Sequence, residues 1–186
     1  MDDREIIELY WTRSEHAIGE TARKYGAYCQ AVAYGILRRA EDSEECVNDT
    51  WLQAWNAMPP RRPERLGAFL ACITRNLALN RRKALTAQKR GGDQTAAALE
   101  ELRDCVPAPG GVEQTVEDRE LSLALDRFLG GLRSEARRFF LQRYWYLRSV
   151  TEIAAQYGVS ESKVKMSLLR SRKALKLFLE QEGYVL

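Results

Sequence analysis

The stretch Val150-Thr-Glu-Ile-Ala-Ala-Gln-Tyr-Gly-Val-Ser-Glu-Ser-Lys-Val-Lys-Met-Ser-Leu-Leu-Arg170 decides how the rest of the chain is read. Two helices that cross closely need a small residue at the crossing, and Ala154 supplies it. The turn between them needs a residue that tolerates positive φ, and Gly158 stands four positions later. Val164, six residues beyond the glycine, is the apolar group that packs the second helix back on the first. Thr151 and Ser160 suit the N-caps of the two helices. Between residues 160 and 176 the second helix carries Lys163, Lys165, Arg170, Arg172, Lys173 and Lys176 against Glu161 alone. This is a helix-turn-helix pattern with a basic second helix, which fits a major groove with its N-terminal side chains at base edges. Its lysines and arginines mostly supply phosphate contacts, which give salt-sensitive affinity and orientation. A helical hairpin with a merely solvated basic face is the plainer alternative.

The helical period continues outward from this motif. Val116, Leu121, Leu125, Phe128 and Leu132 mark one helix, and Ser134 is placed to cap the run Phe139, Phe140, Tyr144. Residues 84–111 break the period with Gly91-Gly92, Pro107, Pro109 and Gly110-Gly111, and read as a partly flexible linker with room for a short helix around 96–102. Before it, Leu66, Phe69, Leu70, Ile73 and Leu77 form an apolar stripe opposite Arg75, Asn76, Asn80 and Arg81. Val47, Trp51, Ala54, Trp55 and Met58 form another, with Asp42 or Ser43 as its cap and Pro59, Pro60 and Pro63 ending it. Ile18, Ala22, Tyr25, Cys29, Val32 and Ile36 mark a long helix upstream. The expected fold is all-α: two small helical domains, 1–83 and 116–186, joined by a flexible linker over 84–115.

The 186 residues include 30% charged and 45% hydrophobic groups, enough apolar content to exclude a disordered polar chain. The formal net charge of +3 conceals a sorted pattern. Residues 1–59 hold 6 basic and 11 acidic side chains, 60–90 hold 9 and 1, 91–120 hold 2 and 8, and 121–186 hold 12 and 6. Two basic blocks separated by an acidic one imply two surfaces for anionic partners. No run of about 18 apolar residues is present to span a bilayer, and the acidic N-terminus is unlike a signal peptide; a cytoplasmic location and no membrane insertion are expected. Cys29, Cys46, Cys72 and Cys105 show no Cys-x-x-Cys pairing, and His16 is the single histidine, so no metal site is expected. Cys29, Cys46 and Cys72 read as buried reduced thiols.

The basic block from Arg61 to Arg90 combines cations with an asparagine-bearing helix face. Such a surface suits single-stranded DNA, where cations track the backbone and polar groups read bases that have left the stack. Trp51, Trp55 and Phe69 lie on apolar stripes and read as core rather than stacking platforms.

Two further segments carry a resemblance. Asp42-Ser-Glu-Glu-Cys-Val-Asn-Asp-Thr-Trp-Leu-Gln-Ala-Trp55 is similar to the pattern Asp-Ala-Glu-Asp/Glu-x-Val-Gln-Asp/Glu-Thr-Phe-x-x-Ala-Trp. Phe69-Leu-Ala-Cys-Ile-Thr-Arg-Asn-Leu-Ala-Leu-Asn-Arg-Arg82 resembles Phe-x-x-Trp-Leu-x-x-Ile-Ala-Arg-Asn-x-x-x-Asp-x-x-Arg. Both patterns belong to the bacterial sigma-70 family in its small extracytoplasmic-function (ECF) group, which keeps only region 2 and region 4, joined by a linker. The helix-turn-helix resembles region 4. Asn48 stands where glutamine is usual, Trp51 where phenylalanine is, and Asn80 where aspartate is common; the loop from Pro59 to Gly67 is richer in proline and arginine than usual.

The resemblance implies a sigma factor that binds core RNA polymerase and directs promoter recognition, melting and initiation, with no catalysis and no cofactor. It implies that the β′ clamp helices meet Asp42, Glu44, Glu45, Asn48, Asp49 and Gln53, and that the acidic first block suits a protein partner. It implies that the melted minus-10 strand meets Arg61, Arg62, Arg65, Arg75, Asn76, Asn80, Arg81 and Arg82. Ser162, Lys163, Lys165, Met166 and Ser167 become candidate minus-35 groove residues, with Arg170, Arg172 and Lys173 on phosphates. The β flap would meet apolar residues around 139–146, and the acidic linker would thread through polymerase. Many members of the group are held by an anti-sigma factor, so that partner class is admitted too. A stand-alone helix-turn-helix regulator is the competing reading. Such regulators often dimerise on two-fold operators; no heptad seam or dimer helix is evident, a free monomer is expected, and the Asp42–Trp55 motif would lack a purpose. An enzyme is disfavoured by the lack of a phosphate loop, metal cluster or Ser/His/Asp order.

Overall fold

The structure, a computed structural model, describes residues 1–87, 94–103, 105–106 and 115–184. Those residues are helical almost throughout, and the chain divides into two units, Met1–Gly91 and Gly92–Leu186.

The first unit holds α1 (Asp3–Trp11), α2 (His16–Leu37), α3 (Ala40–Ala57) and α4 (Leu66–Ala87). No sequence expectation covered α1. It is started by a capping box in which the Asp2 carboxylate accepts from the Glu5 N–H at 2.8 Å and the Glu5 carboxylate accepts from the Asp2 N–H at 2.7 Å. Neither Asp42 nor Ser43 caps α3. The chain leaves a left-handed Arg38 (φ 59°) and enters the helix from an extended Arg39, so the helix has begun before Asp42 is reached. Ser43 is buried, and its hydroxyl donates to the Arg39 carbonyl at 2.6 Å. Glu41 and Asp42 instead occupy the first turn, where their charge complements the helix dipole. The helix ends at an extended Met58, immediately before the paired prolines.

Helices α2, α3 and α4 pack on one another, and α1 lies on α2. Their shared interior is rich in small groups: Ala33, Ala54, Ala71 and Ala78, with the buried hydroxyls of Thr21, Thr50 and Thr74. The Thr50 and Thr74 oxygens are 3.0 Å apart across the α3–α4 contact, and Tyr10 and Thr21 pair at 2.9 Å. The buried face of α4 is Leu66, Leu70, Ala71, Thr74 and Ala78. The face is rotated from the expected stripe because close packing takes the small residues. Phe69, Ile73 and Leu77 are left half-buried, and Cys72 is exposed rather than buried. Cys29 and Cys46 are buried thiols. The α2 face turns likewise: Ala17 and Thr21 are buried, while Ile18, Ala22 and Tyr25 are half-buried. The Tyr25 hydroxyl donates to Asp3 at 2.6 Å, and its ring lies where a Cβ at Gly67 would come within 2.8 Å.

The second unit holds α5 (Gln94–Leu102), α6 (Thr115–Gly131), α7 (Ser134–Phe140) running into a π-helical turn (Leu141–Trp145), α8 (Val150–Tyr157) and α9 (Glu161–Gln181). Helices α6, α7 and α8 pack on α9, and α5 packs on the π-helical turn. Phe128, Phe139, Phe140 and Tyr144 fill the interior with Ile153, Val164, Leu168, Leu175 and Leu179. Phe139 meets the Tyr157 ring edge-on at 5.4 Å between centroids, and Phe140 tilts against Tyr144 at 4.6 Å.

Two expected caps fall elsewhere. Ser134 is the first helical residue of α7, with Arg133 preceding it. Helix α8 starts one residue before Thr151, capped by Ser149, which accepts from the Glu152 N–H at 3.1 Å while the Glu152 carboxylate accepts from the Ser149 N–H at 2.7 Å. The Thr151 hydroxyl donates to Glu161 at 2.8 Å and ties the two motif helices together. The motif itself has the expected geometry. Ala154 and Val164 are buried, Gly158 is left-handed at φ 64°, and Ser160 accepts from the Lys163 N–H at 3.2 Å. The expected linker holds the last turn of α4 and the helix α5; Gly91-Gly92, Pro107, Pro109 and Gly110-Gly111 lie outside the described residues.

Candidate polymerase and nucleic-acid interfaces

The outward face of α3 exposes Glu41, Glu44, Glu45, Asn48, Asp49, Gln53 and Asn56. Five of the six residues expected to meet polymerase stand on it, and Asp42, at 14% side-chain exposure, sits at its inner edge. Leu52 stands on the same face at 58% exposure. Sequence reasoning passed over it; its signal was a leucine out of phase with the buried stripe and flanked by polar positions.

The residues expected to meet the minus-10 strand do not form one face. Asn76 and Asn80, four apart, are exposed together on α4. Arg75 and Arg82, seven apart, are half-buried along another line, and burial draws the Arg75 guanidinium pKa down. Arg81 turns toward α3: its Nη2 lies 3.1 Å from Asp42 and it also pairs with Glu45. Arg61, Arg62 and Arg65 are exposed on the loop before α4. Arg62 pairs with Glu8 and lies over the Trp11 ring at 5.0 Å, which fastens the loop to α1.

An open cleft of about 430 Å³ lies where the end of α3 meets the loop and α4, lined by Gln53, Asn56, Ala57, Arg61, Phe69 and Ile73. Phe69 therefore lines a cleft rather than filling core. Trp51 is buried as expected, and half-buried Trp55 carries Arg13 over its ring at 5.1 Å. Two amide side chains, a guanidinium and an aromatic ring give this cleft the hydrogen-bonding and stacking groups that an unstacked base needs.

In the second unit α9 exposes Ser162, Lys163, Lys165, Met166, Arg170 and Lys173; Ser167 is half-buried. Lys163 pairs with Glu135 at 2.7 Å and Lys165 with Glu161 at 3.4 Å. Leu169, missed in the sequence, is 36% exposed near Met166 at 46%, so the outward side of the helix is partly apolar. Lys163, Met166, Ser167 and Arg170 border a groove of about 660 Å³ shared with Arg133 and Glu135. Arg172 points elsewhere: its Nη1 donates to Tyr144 at 2.7 Å and to Glu101 of α5 at 3.1 Å. Phe139, Phe140 and Tyr144 are buried, which removes them from the surface expected to meet the β flap; Leu141, Trp145 and Tyr146 are half-buried.

Among the described residues no group of histidine, cysteine, aspartate or glutamate could hold a metal ion, and no helix is long and apolar enough to cross a membrane.

Comparison with known proteins places the chain in a family. The sigma-70 region 2 profile matches residues 22–88, and the sigma-70 region 4 profile matches residues 122–175. The chain is 28% identical over 172 residues to the ECF RNA polymerase sigma factor SigL of Mycobacterium tuberculosis, covering 86% of this chain and 87% of that one. It is 26% identical over 169 residues to the probable RNA polymerase sigma factor RfaY of Xanthomonas campestris pv. campestris, covering 87% of this chain and 42% of the relative's length. The region 2 match falls on the bundle with the acidic α3 face, and the region 4 match on the helix-turn-helix. The chain belongs to the sigma-70 family of RNA polymerase sigma factors, in its extracytoplasmic-function group.

Proposed function

We propose that the chain binds core RNA polymerase in the cytoplasm and directs it to promoters, with a division of labour between the two units. The carrying observation is the occurrence, in family order and on separate helical units, of an acidic exposed helix face and a capped basic helix behind a left-handed glycine turn. The α3 face meets the β′ clamp helices: Glu44, Glu45, Asn48, Asp49 and Gln53 supply polar contacts, with Asp42 at the edge. Exposed Leu52 is the apolar anchor within that ring, since burying a leucine on a partner contributes about 1.5–3 kcal/mol.

The melted minus-10 strand runs over Arg61, Arg62, Arg65, Asn76 and Asn80, flanked by Arg75, Arg81 and Arg82. An unstacked base enters the Gln53–Asn56–Arg61–Phe69 cleft. In the second unit, α9 enters the minus-35 major groove with Ser162, Lys163, Lys165, Met166 and Ser167, while Arg170 and Lys173 serve phosphates and Arg172 is held back by Glu101 and Tyr144. Half-buried Leu141, Trp145 and Tyr146 are the residues left to meet the β flap. The chain performs no chemistry of its own, and an anti-sigma factor that covered either surface would silence it.

Abortive transcription by core polymerase on a pool of promoters, with and without the protein, tests this reading. Promoter-dependent transcripts are expected. Failure to bind core, or binding without any such transcript, rejects it. Asp49→Ala and Leu52→Ala should lower affinity for core, and Asn76→Ala should impair opening while core affinity stays intact.

A further inference from the structure

Three side chains in the second unit converge on one carboxylate. Glu101, in the last turn of α5, accepts from Arg143 Nη2 at 2.6 Å, Tyr144 Oη at 2.9 Å and Arg172 Nη1 at 3.1 Å, with Arg143 Nε at 3.4 Å. The Arg143 side chain is only 5% exposed and is also fixed by donation to the Arg148 carbonyl at 2.9 Å. The arrangement is not a product of α5 itself. Glu100 and Glu101 lie at the C-terminal end of that helix, where the dipole disfavours negative charge. The cradle holds the carboxylate there. A buried guanidinium requires an anion beside it, and two guanidiniums with a phenol form a donor set that suits a phosphate as well as a carboxylate. Arg172 lies on the flank of α9 that also carries Lys165, seven residues before it, and Lys176, four after it; both lysines are exposed. The cradle is thus continuous with a basic row on the helix that reads DNA.

We propose that Glu101 is an internal phosphate mimic: α5 seats it in an anion site formed by Arg143, Tyr144 and Arg172 and so withholds that site from the DNA backbone in the free protein. This rests on the reading of α9 as a duplex-binding helix. A phosphate can enter only by displacing a carboxylate tethered to the same domain, whose effective concentration is high. The acidic segment is then a competitor for DNA as well as a connection between domains.

The test uses the full chain and a 20-base-pair duplex of mixed sequence, because phosphate contacts are independent of sequence. Binding is followed by fluorescence anisotropy over a salt series. Glu101→Gln should bind several-fold tighter, with a slope of log K against log salt steeper by about 0.9, one phosphate's worth. Glu101→Asp, which keeps the charge but shortens its reach, should give part of the gain. Glu100→Gln makes the same charge change at a carboxylate that pairs with Arg103 in solvent, and should give little. Adding Arg172→Ala to Glu101→Gln should return affinity to the wild-type value. The inference is overturned if Glu101→Gln binds no tighter, if Glu100→Gln gives an equal gain, or if the gain survives Arg172→Ala. Wild-type binding without a Glu101→Gln gain rejects this inference alone; no duplex binding by either protein at low salt also rejects the duplex-binding reading of α9.

Discussion

Where α2, α3 and α4 meet, the first domain sets alanines and threonine hydroxyls among Val32, Ile36, Trp51 and Leu70; around α9 the second places Phe128, Phe139, Phe140 and Tyr144. The difference follows helix length. Helices of 22, 18 and 22 residues can lie along one another for several turns if the side chains between them are small, because the interaxial distance is set by those side chains. Such contact fixes the outward faces of α3 and α4 relative to one another, which is what the two surfaces proposed for them would require. Helices of seven and eight residues have no such length to share. Helix α7 buries two large rings, Phe139 and Phe140, and α8 buries Ile153 and Ala154 while its Tyr157 meets Phe139 edge-on.

The two interiors should therefore fail in opposite ways. Phe139→Ala removes a fully buried ring beside Tyr157 and should cost about 3–5 kcal/mol in the second domain. Denaturant unfolding followed separately for the two transitions should show it there and leave the first unchanged. The first domain should be sensitive to enlargement: Ala54→Leu forces a larger group into a closed small-residue contact and should cost about 1–3 kcal/mol. If Ala54→Leu were neutral or stabilising, the close-packing account of the α3–α4 interface would be wrong.

The smallest effect is acid sensitivity. Burial by itself would raise the Glu101 pKa, but hydrogen bonds from Arg143 and Tyr144 and the charges of Arg143 and Arg172 outweigh it and hold it below its ordinary value. A carboxylate depressed on folding contributes fully above its unfolded pKa, near 4–5, and loses that contribution as pH falls through the folded value. Asp3 in the first domain behaves alike: burial opposes, and Lys24 and Tyr25 prevail. Both domains should weaken below about pH 4, and Glu101→Gln should flatten the pH profile of the second domain's unfolding midpoint only.

Legibility in the sequence followed the kind of signal. The turn of the helix-turn-helix was readable because a backbone at positive φ restricts the residue that can stand there, and Gly158 does. The caps at Asp2 and Ser149 are just as local, each with a glutamate three residues on, but Thr151 offers the same kind of hydroxyl nearer the apolar run of α8. The face of α4 was misplaced because hydropathy favours Phe69, Ile73 and Leu77 while close packing selects Ala71, Thr74 and Ala78. The acidic face of α3 was legible through the family resemblance, and the structure exposes Glu44, Glu45, Asn48, Asp49 and Gln53 while Asp42 sits at the inner edge. The engagement of Arg62, Arg81 and Arg172 was not legible, since their carboxylate partners lie 54, 39 and 71 positions away and meet them only through tertiary folding.

Gly67 carries a consequence for sequence tolerance. A Cβ there would sit 2.8 Å from the Tyr25 ring, whose hydroxyl is tied to Asp3. Admitting even alanine would require the ring to move and its bond to α1 to stretch or break. The entry to α4 is thus linked through one aromatic side chain to the first turn of the protein, and change at position 67 requires compensation at position 25. A library randomised at both positions should recover Gly67 wherever tyrosine is kept and larger residues only where the ring has been replaced by something smaller.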